Sequence, residues 1–131
     1  MIGLDINVLV HYLMQDDPVQ SLRATELIER RLAEDNPGFI SVVAMTETVW
    51  VLERAYRLSN VRIAEVIERL LQTAVLVVEN EAEVFAAMTV LQEGSGSFSD
   101  ALIGELGERA GCSITLTFDQ KASRLRNFVL A

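Results

Sequence analysis

Four strand-sized segments, Met1 to Leu4, Phe39 to Ser41, Ala74 to Val78 and Ser113 to Thr117, alternate along the chain with stretches of helical apolar spacing. That alternation restricts the fold more than any other feature. A strand, a helix and a further strand in one small domain favour parallel pairing, because the helical crossover returns the chain to the same end of the sheet in a right-handed sense. The expected fold is α/β, with a small, mainly parallel central sheet flanked by helices and with helix well in excess of strand. The run Ala74 to Val78 is continuously apolar and rich in valine, the pattern of a strand covered on both faces.

Between these segments, Asn7 to Met14 has helix-like apolar spacing, and Pro18 stands where a first helical turn tolerates proline, opening a helix to about Glu34. Asn36, Pro37 and Gly38 end it. A third helix runs from Val42 to about Tyr56. Ser59 or Asn60 caps a fourth, in which Ile63, Val66, Ile67, Leu70 and Leu71 follow the spacing of an amphipathic helix on a core. Glu81 to Gln92 forms a fifth, Ser99 or Asp100 starts a sixth that ends near Ala110, and a short final helix carries Lys121 and Arg124.

With 131 residues, half of them hydrophobic, and no linker or low-complexity tract, the chain reads as a single domain, 1–131, able to bury a core without disulfides. The apolar start is broken at Asp5 and lacks a basic leader, so neither a signal peptide nor a membrane span is expected, and a cytoplasmic location follows. Cys112, the sole cysteine, has no Cys or His at metal-ligand spacing and reads as a buried, reduced thiol. A net charge of −8 opposes nucleic-acid binding through a basic surface. The objection weakens if part of the acidic excess forms a metal site, since a divalent cation bridges carboxylates to phosphate oxygens.

Four acids stand out. Asp5 and Asp119 fall at the carboxyl ends of predicted strands, where open parallel sheets bind ligands, although each also suits a helix N-cap. Glu47 has Val43, Ala44, Trp50 and Val51 one helical turn away on either side, so it reads as a carboxylate on an apolar, core-facing stripe, which must be protonated, paired or metal-bound. The alternative is a residue at the edge of the stripe reaching to solvent. Asp100 shares a helix face with Ile103, Gly104 and Gly107, a face small enough to be approached closely, and it too could simply cap its helix. If these four carboxylates converge, their repulsion calls for a proton or a divalent ion, and an all-oxygen site selects Mg²⁺ or Mn²⁺. No Ser or Cys lies in a triad-like setting, so metal-assisted phosphodiester hydrolysis is the chemistry that such a cluster suits.

The segments Asp5-Ile6-Asn7-Val8-Leu9-Val10, Gln15-Asp16-Asp17-Pro18, Thr46-Glu47-Thr48-Val49-Trp50, Phe98-Ser99-Asp100-Ala101-Leu102-Ile103 and Leu116-Thr117-Phe118-Asp119-Gln120-Lys121 resemble, in order and spacing, the PIN domain. The likeness is to VapC-type toxins of toxin–antitoxin pairs in particular, and it spans essentially the whole chain. It implies a three-layer α/β/α fold and an endoribonuclease in which Asp5, Glu47, Asp100 and Asp119 are the catalytic, Mg²⁺- or Mn²⁺-binding acids. Asn7 would orient the first carboxylate, with Thr117 in a similar supporting role. It also implies an RNA substrate, a cognate VapB-type antitoxin and a homodimer, for which the helix 42 to 56 offers a surface. Two departures matter: Ile6 stands where the family more often has Thr, and Ser97 stands where many relatives have a further Asp, which weakens a second ion site.

Other residues carry less. His11 lies one turn beyond Asn7, where relatives often place a basic residue, and could contact RNA, though a solvent-facing or core-edge histidine is the simpler reading. Lys121, Arg124 and Arg126 could hold phosphates or complement a helix C-terminus. Arg30, Arg31, Arg54 and Arg57 read as solvated, and Trp50 as a core or subunit-contact residue. Two alternatives to the nuclease are a phospho-receiver-like signalling domain and a PIN-like module that binds RNA or protein without turnover. The receiver fits poorly, since the run Ala74 to Val78 ends in Glu79 in place of a phospho-accepting Asp.

Overall fold

A computed structural model describes all residues, 1–131. The chain divides into two compact units, Met1–Asn80 and Glu81–Ala131. The expected class is observed: helices alternate with short strands, and every strand pairing is parallel.

The first unit is built on a three-stranded sheet in the order β1 (Ile2–Gly3), β2 (Gly38–Ile40), β3 (Leu76–Val78). β1 is held to β2 by the Ile2 N–H donating to Pro37 O at 2.8 Å and the Leu4 N–H donating to Phe39 O at 2.9 Å. Helices α1 (Ile6–Met14) and α2 (Pro18–Glu26) form the crossover from β1 to β2; α3 (Val42–Arg54) and α4 (Asn60–Gln72) form that from β2 to β3. Each helix start has a chemical reason. Asp17 Oδ1 accepts the Val19 and Gln20 N–H groups ahead of Pro18, and Ser59 Oγ accepts that of Arg62. α3 satisfies two of its orphan donors, the Ala44 N–H on Ser41 Oγ and the Val42 N–H on the Glu79 carboxylate at 2.8 Å. Glu79 thus joins the end of β3 to the start of α3, a structural task far from phosphate acceptance.

Two readings in this unit differ from expectation. The helix from Pro18 stops being α-helical at Glu26 and widens into a π turn over Leu27–Arg31, closed by the Leu32 N–H on Leu27 O at 3.0 Å. β3 is not covered on both faces. Leu76 and Val78 are buried while Val77 is exposed, so its apolar run conceals a one-sided strand. The α4 stripe holds in its centre: Ile63, Ile67 and Leu70 are buried as read, Val66 and Leu71 are half-buried at its edge, and Ala64 joins the core beside them.

In the second unit α5 (Glu81–Glu93) packs on α6 (Phe98–Arg109), with Val84, Ala87, Met88 and Leu91 buried on one helix and Phe98, Ala101 and Leu102 on the other. Gly94, at φ 73°, supplies the left-handed residue that ends α5. The small face of α6 is used as its composition suggested, since any Cβ at Gly104 would collide with the Phe128 ring. β4 (Thr115–Thr117) pairs in parallel with β5 (Phe128–Leu130), a strand not foreseen from the sequence. In place of a final helix there is one 3₁₀ turn, Ala122–Arg124. Cys112 is exposed, not buried, because the chain leaves α6 through Gly111 at φ 104° into a solvated turn.

The α4 stripe generates a stability test. Ile63→Ala should lower unfolding stability by about 2–4 kcal/mol through lost transfer energy and a residual cavity. Val61→Ala, at a half-exposed position of the same helix, should change it by roughly 0.5 kcal/mol or less. Urea unfolding followed by circular dichroism measures both.

Candidate functional site

Asp5 sits just past the carboxyl end of β1, in the N-cap position of α1 with an extended backbone (φ −82°, ψ 159°). Its main-chain carbonyl accepts the Val8 N–H at 3.1 Å, but its carboxylate caps nothing and is exposed. The geometry of a cap is present while the side chain is left for other work. Asn7 follows within the first turn, also exposed and with its amide uncommitted.

Glu47 corrects the sequence reading. It is exposed, and so are its neighbours Val43 and Trp50, at 69% and 58% of their surfaces. The core face of α3 is Met45, Thr48, Val49 and Leu52. Apolar residues surround this helix, so spacing alone could not select the buried side, and Thr48 is admitted to the core by donating its hydroxyl to Ala44 O at 2.7 Å. Trp50 is accordingly no core residue; the Arg54 guanidinium lies 5.6 Å from its ring centroid. Glu47 instead lines a surface groove with Thr46, Trp50, Val51 and Ile6. Because Ile6 directly follows Asp5, this groove brings Glu47 beside the segment that carries the first acid.

In the second unit Asp100 is half-buried in the first turn of α6, and it is not the cap. Ser97 is: its Oγ accepts the Asp100 N–H at 3.1 Å. The serine that replaces an acid in the resemblance thus gains a structural role, and the Asp100 carboxylate remains unspent near the positive end of the helix. Asp119, exposed beyond β4, does act as a cap, its Oδ1 accepting the Lys121 and Ala122 N–H groups at 2.7 and 3.2 Å. Its own N–H donates to Thr117 Oγ1 at 3.0 Å, so Thr117 fixes the backbone that aims Asp119. One carboxylate oxygen stays free, and capping is compatible with a second task.

The acids therefore fall two to a unit, Asp5 with Glu47 and Asp100 with Asp119, and neither unit gathers three or more His, Cys, Asp or Glu side chains into a metal-holding group. Among the cations, Arg126 is consumed. Its guanidinium bonds Glu105 at 3.1 Å and Glu108 at 2.7 Å, tying α6 to the approach to β5 and holding the Glu108 carboxyl below its ordinary range. Lys121 and Arg124 are exposed and unpaired. His11 is half-buried, with Nδ1 3.9 Å from Asp16 and without a hydrogen-bond partner. Asp16 itself accepts the Tyr56 hydroxyl at 2.6 Å, which lowers the carboxyl pKa and raises that of the phenol. No helix is long and apolar enough to cross a membrane.

Acids set beyond the carboxyl ends of short parallel strands, on an α/β frame, define a class of protein that handles polar ligands at strand ends. The sequence matches the PIN domain over residues 2–127, and the chain belongs to that family. PIN domains are generally nucleases, typically with divalent metals, so the activity class is hydrolysis of nucleic acid and the receiver alternative is set aside. A search among curated proteins gives no match.

The role given to Arg126 is testable through pH. A carboxyl whose folded pKa is depressed stabilises the fold above its unfolded pKa and ceases to do so as pH falls through the folded value. Arg126→Ala should therefore lower the melting temperature at pH 7 and make little difference in strong acid, and the gap at pH 7 should narrow in high salt. Equal destabilisation at both pH values would assign Arg126 a packing role instead.

Proposed function

We propose that the chain is an endoribonuclease dependent on Mg²⁺ or Mn²⁺ and acts as the toxin of a toxin–antitoxin pair, with residues 1–131 working as one PIN domain. The observation that carries this reading is the groove shared by Glu47 and Ile6, next to the uncapped carboxylate of Asp5. Both carboxylates are exposed and have no ion-pair partner, so they are open to a hard cation.

Asp5, Glu47, Asp100 and Asp119 would hold the ion, a donor set of oxygens that suits hard divalent cations. When bound, such an ion lowers the pKa of a water and offsets charge on the phosphate undergoing attack. Asn7 can donate its amide to the Asp5 carboxylate and fix its orientation. Thr117 sets Asp119 through the backbone bond already described, and Lys121 and Arg124 supply unpaired positive charge for the RNA strand. The replacement of a family threonine by Ile6 leaves the first turn of α1 without a hydroxyl, so Asn7 bears more of the positioning.

The partners follow from the same surface. An antitoxin of VapB type would place a basic segment over the acids, with arginine suited to bidentate carboxylate contacts. The exposed Val43 and Trp50 on α3 support a homodimer through that helix. A cytoplasmic location accords with an RNA substrate.

Purified protein should cleave single-stranded RNA with Mg²⁺ or Mn²⁺ and stop on chelation. Asp5→Asn or Glu47→Gln should reduce kcat at least about 100-fold, the scale of losing a main electrostatic stabiliser. Cleavage that persists with chelator, or full activity in both variants, would overturn the mechanism. Millimolar Mg²⁺ should also raise the melting temperature of the native protein and not that of Asp5→Asn.

A further inference from the structure

Between α1 and α2 lies a solvent-open cavity of about 400 Å³ that the proposed catalytic acids do not line. Its floor is apolar, from Val8, Ala24 and Leu27, and its polar groups are Asn7, His11, Gln20 and Arg23. The two helices deliver these groups by simple periodicity: Asn7 and His11 are one turn apart on α1, and Gln20 and Arg23 one turn apart on α2. No carboxylate lines the cavity. In an acidic chain that is a selective arrangement, because Arg23 is exposed and forms no ion pair, and Asp16, the carboxylate nearest the lining, lies 3.9 Å from His11 Nδ1. The amides of Asn7 and Gln20 are uncommitted, whereas His11 Nδ1 is buried and lies 3.9 Å from Asp16, so His11 lines the cavity without lending that nitrogen to it. A guanidinium fork and two side-chain amides lining one cavity beside apolar residues supply the donors that a single oxyanion takes.

We propose that this α1–α2 cavity binds a backbone phosphate of the RNA strand adjoining the bond that is cut, with Arg23 as its principal contact. The inference rests on the nuclease reading for the identity of the strand. Its position supports a phosphate over a free anion: Asn7 belongs to both the cavity lining and the turn that starts at Asp5, so the cavity adjoins the segment that carries the first acid. A contact of this kind positions the strand and carries no sequence information. It also explains how an acidic protein retains a polyanion, through a local cation set apart from its carboxylates.

The test uses the full chain carrying Asp5→Asn, so that binding is measured without cleavage, and a fluorescent single-stranded oligoribonucleotide of mixed sequence in Mg²⁺. Adding Arg23→Ala should weaken binding roughly tenfold, the scale of one charge-assisted hydrogen-bonded contact, and should reduce the slope of log affinity against log salt by about one. Arg31→Ala, on an exposed arginine outside the cavity, should do neither. In the otherwise unmutated enzyme, Arg23→Ala should raise KM with little change in kcat. Inorganic phosphate should shift the side-chain amide resonances of Asn7 and Gln20. Unchanged affinity and salt slope in Arg23→Ala would overturn the proposal, as would resonances that respond to an acidic peptide and not to RNA or phosphate. Absence of metal-dependent cleavage alongside Arg23-dependent RNA binding would overturn the nuclease reading while leaving this site intact.

Discussion

The short parallel ladder between Ile2–Gly3 and Gly38–Phe39 governs where the chain's chemistry can stand. β1 contains two residues, and a parallel strand cannot turn back on its neighbour through a tight hairpin, so the chain must leave the sheet at once into a helical crossover. The residue at that departure is Asp5. Its main-chain carbonyl accepts the first N–H groups of α1 from an extended backbone, and its side chain is left with no capping duty. The same demand for satisfied helix starts is met elsewhere by residues without a proposed catalytic role: Ser41 and Glu79 for α3, Ser59 for α4 and Ser97 for α6. By meeting those obligations with serine hydroxyls and one remote glutamate, the chain leaves Asp5, Glu47 and Asp100 unspent. Asp119 is the exception, dividing its two oxygens between capping and availability.

How much of this was legible before the structure depends on which physical signal each element carries. α4 was readable almost residue by residue, because its apolar positions recur at a single helical period while the remainder are polar. α3 was readable as a helix but not as a face: valines, alanine and tryptophan lie on all its sides, and the buried stripe is chosen by packing that no local pattern encodes. The helix that carries Glu47 was therefore read correctly and the face on which it lies was not. β5 was missed because three residues, Phe128–Leu130, acquire their strand character only by pairing with β4, a contact between segments separated by the Asp119 turn and Arg126. The capping alternatives could not be decided from residue type, since Asp, Ser and Asn all serve; the hydrogen bonds separate them, favouring Ser97 over Asp100 and sparing Asp5.

The cavity between α1 and α2 shows a further limit of reading a chain linearly. His11 drew attention for its place beyond Asn7, yet Gln20 and Arg23 carry no motif and stand among ordinary helix residues. Their signal is the register of α2, which Asp17 and Pro18 fix together by setting the helix start. Once that start is known, positions 20, 23 and 24 fall on one face, and the polar pair comes opposite Asn7 and His11. A capping residue thus determines which cation faces the cleft, a link from local hydrogen bonding to ligand chemistry that composition does not reveal.

Net charge is a poor guide to such a surface because it sums groups that never share a neighbourhood. Arg126 contributes a full positive charge to the total and nothing to a ligand, being closed by Glu105 and Glu108. Arg62 is partly answered by Glu65 and Arg109 by Glu83. Among the cations without a bonded carboxylate, Arg30, Arg31, Arg54, Arg57 and Arg69 lie elsewhere along the chain, while Arg23 lines the cavity and Lys121 and Arg124 follow β4. With a Debye length of about 8 Å at physiological ionic strength, a strand held at these points is largely screened from acids elsewhere on the surface. On the proposed reading, the acids would act on the strand chiefly through a cation held among them, and the excess of negative charge would then favour metal dependence instead of opposing RNA binding.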